Sequence, residues 1–260
     1  MEAFKVQTIG EIAAADYRTS RVFRSFGIDF YCGGDKTIAD ACSEVNIEPE
    51  AVNEALKKLG RKKEKENAYN NWPLNFLVDY IINNHHNKMR KVLPEIKFYA
   101  RKVAAVHGGG GGETIDMYED FTFHSSMGQP VRSRHIELIA MSRAFVKLAA
   151  KILKHINNQE QKVFPFIKKM AANKISAGNY KKSYSISMVE MVQEEHKKAD
   201  VLMKKLRSLS NNFTLPKDAC STYGVYYKKL QAFEENMHKH IHLENNILFP
   251  KALKLSEELQ

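Results

Sequence analysis

Apolar side chains recur at spacings of three, four and seven along four stretches of the chain, at about 74 to 104, 132 to 172, 184 to 209 and 218 to 256. That is the period of a helix with one buried face, so the pattern predicts four long amphipathic helices. Strand signals are few, and the expected fold class is all-α, an antiparallel four-helix bundle preceded by a small helical domain. Within residues 1–62, Thr8 before IGEIAAAD and Thr37 before IADACSEV are placed as N-caps, and Pro49 stands where a further helix begins. The paired glycines of DFYCGGD demand a turn between them. The charged stretch RKKEKENAYNN reads as a linker, and the bundle is expected over 72–260. Its interruption is 107–130, where five consecutive glycines cannot hold regular structure and an irregular crossover is expected.

Charge narrows the partners. The chain has 260 residues, with 40 Lys and Arg against 30 Asp and Glu, a formal net charge of +10. The basic residues are spread over several helices, and the densest run, Lys57 to Lys65, has no reading helix or aromatic–basic stripe beside it. Nucleic acid is therefore not an expected partner. No apolar run approaches the ~20 residues of a membrane-spanning helix. The first residues lack the apolar core of a secretory signal, so a cytoplasmic location without membrane contact is expected. Three cysteines, Cys32, Cys42 and Cys220, are too few for a disulfide framework, in keeping with a reducing compartment. Cys42 shares an apolar stripe with Ile38 and Val45 and reads as core. Cys32, beside the Gly33 and Gly34 turn and ahead of a helix N-terminus at Thr37, is the candidate reactive thiol.

The ten histidines carry more information. Each long helix places one on its apolar stripe: His86 with Ile82, Met89 and Leu93; His155 with Phe145, Leu148 and Ile152; His196 with Val189, Val192 and Ala199; His240 with Phe233, Met237 and Ile247. A buried imidazole without a partner costs ~1 to 3 kcal/mol, and four in one bundle are hard to satisfy separately. Two segments also echo one another: HINNQEQKVFP from His155 and HIHLENNILFP from His240 reach Phe-Pro at the same spacing. Glu244 follows His240 by one turn, ~40° around the helix, so its carboxylate shares the imidazole's face. Histidines with a carboxylate at this spacing suit iron or manganese, with zinc also compatible. Of His85 and His86 only one is expected to face inward. His107, His124, His135, His238 and His242 read as loop or surface residues.

At this point the chain resembles the repair-of-iron-centres family, di-iron proteins with a hemerythrin-like bundle. The resemblance is carried by HIHLENNILFP, YIINNHHNKMRKVLPEI, VEMVQEEHKKA, the KDAC segment at Lys217 to Cys220, and RVFRSFGIDFYCGGDKTIADAC near the N-terminus. It implies a non-haem di-iron centre with His86, His155, His196 and His240 as terminal ligands and carboxylates as bridges. It further implies repair of iron–sulfur clusters damaged by oxidative or nitrosative stress, by iron donation, with damaged iron–sulfur proteins as clients and nitric oxide or oxygen as small ligands. A nitric-oxide-reactive centre is the expected chemistry, rather than an ordinary hydrolase or transferase, and a homodimer is a further expectation. The chain departs from the family pattern twice. Gln159 stands where the second HxxxE glutamate is expected, and the next acid, Glu160, lies ~140° from His155 on an ideal helix, reaching the site only through a local bulge. One thiol, Cys32 after Tyr31, replaces an expected adjacent pair. Two alternatives stay open: an oxygen- or nitric-oxide-binding sensor without repair activity, and a degenerate homologue with an incomplete metal site.

Overall fold

The computed structural model describes residues 7–60, 69–108, 135–172 and 182–259. The glycine run, His124 and the basic residues at 61–65 lie outside the described residues. Among the described residues there is no strand, only an isolated antiparallel bridge between Thr8 and Thr37, and the fold is an all-α helical bundle. No described helix is long and apolar enough to cross a membrane. The chain divides into two compact units, one of Met1–His86, Asn157–Lys197 and Asn236–Gln260, the other of Asn87–Ile156 and Lys198–Glu235.

In the first unit four short helices lead the chain: α1 (Ile9–Ala15), α2 (Thr19–Ser25), α3 (Ile38–Glu44) and α4 (Pro49–Lys58). Thr8 caps α1 in a reciprocal box with Glu11, Thr37 caps α3, and Pro49 opens α4, so three of the backbone starts follow directly from residue type. The Arg18 guanidinium grips Asp16 and the carbonyls of Leu59 and Gly60, holding the end of α4 against the start of α2.

The remaining helices are α5 (Leu74–Ile81), α6 (Asn87–His107), α7 (Glu137–Asn158), α8 (Phe164–Ala171), α9 (Lys182–Leu209), α10 (Ser221–Leu243) and α11 (Phe249–Glu258). Three pairs of them join end to end through π turns, which makes α5–α6, α7–α8 and α10–α11 three long interrupted rods, while α9 is uninterrupted. The first unit's core brings together Leu77, Val78 and Ile81 of α5, Phe164 and Ile167 of α8, Val192 of α9, and Ile247, Leu248 and Phe249 of the last rod. Each fully buried side chain of this kind stabilises the fold by roughly 1.5–3 kcal/mol. The second unit has its own interior, in which Phe145 meets Phe233 edge to face at 5.8 Å and Arg207 pairs with Glu234.

Candidate metal centre

Most of the candidate ligands stand on the three π turns, Ile82–His86, Gln159–Val163 and Glu244–Leu248. In the last two, the amides of Phe164 and Phe249 donate to the carbonyls of Gln159 and Glu244, five residues back, and the next residue is a proline. Proline has no N–H to give an α-helical carbonyl. Widening the helix by one residue just ahead of it lets the next helix start with proline in its first turn, where no donor is required. The sequence echo is therefore a structural echo, with Gln159 and Glu244 as the first residue of each wide turn.

Glu244 is fully buried, and its two oxygens face different partners. Oε1 lies 2.9 Å from His240 Nε2 and 3.9 Å from His86 Nε2. Oε2 lies 3.0 Å from His196 Nε2 and 2.7 Å from Gln159 Nε2. The Nε2 atoms of His86 and His240 stand 3.1 Å apart. Two nitrogens on adjacent positions of one ion at ~2.1 Å would be separated by about 3 Å, so the spacing fits a shared ion. His196, His240 and Glu244 each offer a ligand atom within 4.8 Å of the others. Glu244 thus divides its two oxygens between separate imidazoles.

The electrostatics match that donor set. Burial alone would push the Glu244 carboxyl up, but His240 and His196 outweigh it and hold the group well below the ordinary carboxylate range. Burial first, and His240 next, push His86 down to about 3, which leaves it neutral at physiological pH with a lone pair to offer. The outer nitrogens are engaged as well: His86 Nδ1 lies 2.8 Å from Glu160 Oε1, and His196 Nδ1 lies 3.0 Å from Asn245 Oδ1. Such partners fix the tautomer and orientation of a ligating imidazole.

The departures in the second rod take a definite form. Gln159 is fully buried and its Oε1 has no hydrogen-bond partner. With the amide turned over, that oxygen would be offered to a cation, so the buried orphan acceptor fits a metal-facing role. The bulge that Glu160 needs is present, but its carboxylate meets the far nitrogen of His86, not the side facing Glu244. His155 is buried in the last turn of α7, one turn before Gln159 on the same rod.

Three expectations about histidines are corrected. His85 and His86 are both buried, at 3% and 0% exposure, because the π turn that ends at His86 turns the pair so that neither faces solvent; His85 Nδ1 finds Asn236 Oδ1 at 3.1 Å. His238 and His242 are buried too, since the N-terminal turns at Tyr17 and at Phe30 and Tyr31 cover the second face of α10. Tyr31 stacks on His238 at 4.0 Å, and Tyr17 and Phe30 flank His242. His107 and His135 are half-buried, close to Cys220 and Asp218 respectively. Cys32 is half-buried, forms no disulfide, and has its amide bound to Asp29; Cys42 is buried.

Asn245 and Asn246 were not among the sequence candidates. Asn245 Nδ2 donates to the Tyr31 carbonyl at 3.0 Å and Asn246 Nδ2 to the Phe30 carbonyl at 2.9 Å. Two amides in succession directly after Glu244, at the head of the apolar run ILFP, were the available signal.

Comparison with known proteins adds a consistent pattern. Residues 5–60 match the ScdA_N domain, described as a domain of unknown function, and residues 77–252 match the hemerythrin HHE cation binding domain. Over 251 residues the chain is 29% identical to the iron-sulfur cluster repair protein YtfE of Escherichia coli O17:K52:H18 (strain UMN026), covering 96% of this chain and 98% of that one. The protein of the same description from Shigella boydii serotype 4 is also 29% identical, and that from Yersinia pseudotuberculosis serotype O:1b is 26% identical, both with the same coverage.

Proposed function

Because the chain belongs to the hemerythrin HHE family and, with its ScdA_N region in front, to the repair-of-iron-centres family, we propose that it is a non-haem di-iron protein that restores iron–sulfur clusters damaged by oxidative or nitrosative stress. The observation that carries the two-ion reading is the division of Glu244, one oxygen toward His240 and the other toward His196. In this reading His86, His155, His196 and His240 are the terminal ligands and Glu244 is the bridge, with Gln159 as a neutral neighbour and Glu160 orienting His86. Residues 1–62 form the small N-terminal domain, carrying Cys32, and 72–260 the metal-binding bundle.

Two non-haem irons held there would supply open coordination positions for nitric oxide or oxygen, and an exchangeable ion as cargo for a damaged cluster. The protein's own groups do the remaining work. The neutral His86 presents a lone pair, the ionised Glu244 supplies negative charge at the centre, and the apolar shell of Phe164, Ile247 and Phe249 keeps bulk water out. With glutamine at 159, fewer negative charges hold two divalent ions, which favours release to a client over storage. Damaged iron–sulfur proteins of the cytoplasm are the clients this reading implies.

Anaerobic loading with Fe(II), followed by metal analysis and an optical spectrum after oxidation, tests the centre. Two irons per chain with near-ultraviolet oxo-to-iron bands are expected, and His196→Ala with His240→Ala should abolish them. A damaged dehydratase should regain activity with the loaded protein. Iron content unchanged in the double variant, or no recovery of the dehydratase beyond that given by free Fe(II), would overturn the proposal.

A further inference from the structure

We propose that Asn245 is a positioning residue that ties the Phe30–Cys32 turn of the N-terminal region to His196, so that docking of that turn and retention of an ion at His196 strengthen one another. The inference rests on the reading of His196 as a metal ligand and adds a control to that site.

The chemistry of the amide group carries it. A backbone carbonyl only accepts, so the Asn245 atom 3.0 Å from the Tyr31 oxygen is the NH2 group. The Asn245 oxygen must then face His196 Nδ1, at 3.0 Å, and an amide oxygen also only accepts. His196 Nδ1 therefore carries a proton, which leaves Nε2, 3.0 Å from Glu244 Oε2, as the nitrogen that would give up its own proton in exchange for an ion. The Tyr31 carbonyl thus dictates the tautomer of a ligand through a single intervening side chain. With the turn undocked, Asn245 loses the contact that sets its orientation, and nothing of that relay holds His196 in its metal-binding form.

The neighbouring residue makes the docking specific. Asn246 donates to the Phe30 carbonyl and to His242 Nδ1, both at 2.9 Å. Its oxygen lies against Gly10 and Gly34, so close that a Cβ at either glycine would collide with it. Gly10 N–H and the Gly34 carbonyl bond each other at 2.8 Å, which holds this glycine cradle shut. Three consecutive residues of one π turn thereby reach the centre, the ligand's outer nitrogen and the N-terminal turn. Coupling between two sites is reciprocal: whatever the turn adds to ion affinity, the ion returns to the turn.

Full-length wild type, Asn245→Ala, Asn245→Asp and Gly34→Ala are compared by anaerobic Fe(II) titration and by hydrogen exchange over residues 28–36, with and without Fe(II). Asn245→Ala should bind Fe(II) about 10- to 100-fold more weakly, as for loss of an orienting partner of a metal ligand. Gly34→Ala, which touches no ligand, should weaken binding by undocking the turn. Asn245→Asp keeps the acceptor for His196 and loses the donor to Tyr31, so it should keep wild-type affinity or better while Fe(II) no longer slows exchange over 28–36. Circular dichroism checks that each variant retains its helices; if Gly34→Ala does not, Asn245→Asp decides. Equal protection by Fe(II) in wild type and Asn245→Asp, or Gly34→Ala affinity within twofold of wild type, would overturn the coupling while leaving the metal centre intact. Wild type that binds no Fe(II), or His196→Ala that binds it equally well, would remove both.

Discussion

Gln159 and Glu244 occupy the same position in two echoing π turns, and their side chains meet, Nε2 to Oε2 at 2.7 Å, with both residues fully buried. A symmetric site would place a carboxylate at each position. This chain keeps one and replaces the other by an amide of equal length.

Restoring the acid should therefore have opposite effects with and without metal. In the metal-free protein, Gln159→Glu sets two carboxyls side by side in a buried space, one must take up a proton, and stability should fall by ~1–3 kcal/mol. With two divalent ions present the added charge is favourable, and iron retention against a chelator should rise by about tenfold or more. Chelator competition and denaturant unfolding of the metal-free form check the two halves; equal iron retention in both proteins would contradict the account of release.

Glu160 acts on His86 from outside the centre, through the 2.8 Å contact to Nδ1. Glu160→Gln keeps an acceptor and removes the charge that makes the imidazole a better donor. Metal affinity should drop by about tenfold, with the helices intact. Isothermal titration with Co(II) under anaerobic conditions reads this directly, and an unchanged affinity would deny Glu160 any orienting role.

Acid should loosen the N-terminal region through His242. Burial first, and Lys239 second, push its pKa from 6.5 down to about 3, so the folded protein holds it neutral where the unfolded chain takes up a proton. The contribution is complete above pH 6.5 and is lost progressively as pH falls toward 3. By pH 5 the loss amounts to about 2 kcal/mol. Since His85 and His86 shift in the same direction, the test is a comparison: metal-free His242→Phe should lose less stability between pH 7.5 and 5 than wild type in urea titrations. Parallel losses would exclude the assignment.

Phe164 joins the core to the centre. It is 1% exposed, and its ring stacks on His86 with centroids 5.4 Å apart and planes at 16°. Phe164→Ala should cost ~3–5 kcal/mol of unfolding free energy, measured in urea. A loss below about 1 kcal/mol would show that the surrounding core closes over the gap.

The helices were legible because their signal is local and repeated: apolar residues at three, four and seven mark a buried stripe whatever covers it, and Thr8, Thr37 and Pro49 announce starts through hydrogen bonds within a few residues. The inward positions of His86, His155, His196 and His240 follow from the same stripes. The failures share one cause. His238 and His242 look like surface because a single-stripe reading leaves the other face of α10 to solvent, and no local pattern says that Tyr17, Phe30 and Tyr31, some two hundred residues earlier, cover it. His85 failed because an ideal 3.6-residue helix cannot bury two consecutive side chains on one stripe, whereas a π turn departs from that period. The bulge at Glu160 could be named as a requirement but not located, since its cause combines Pro165 with packing that the sequence does not display.

The wide turns also fix angular phase. Each carries one residue more than an α-helix would use, so losing one residue of ENNIL would let the turn close to α pitch and deny Glu244, Asn245 and Asn246 the separate directions in which they now point. Length in ENNIL is thus held as tightly as residue identity, and a chain one residue shorter there could keep every imidazole and still lose the link from the centre to the N-terminal turn.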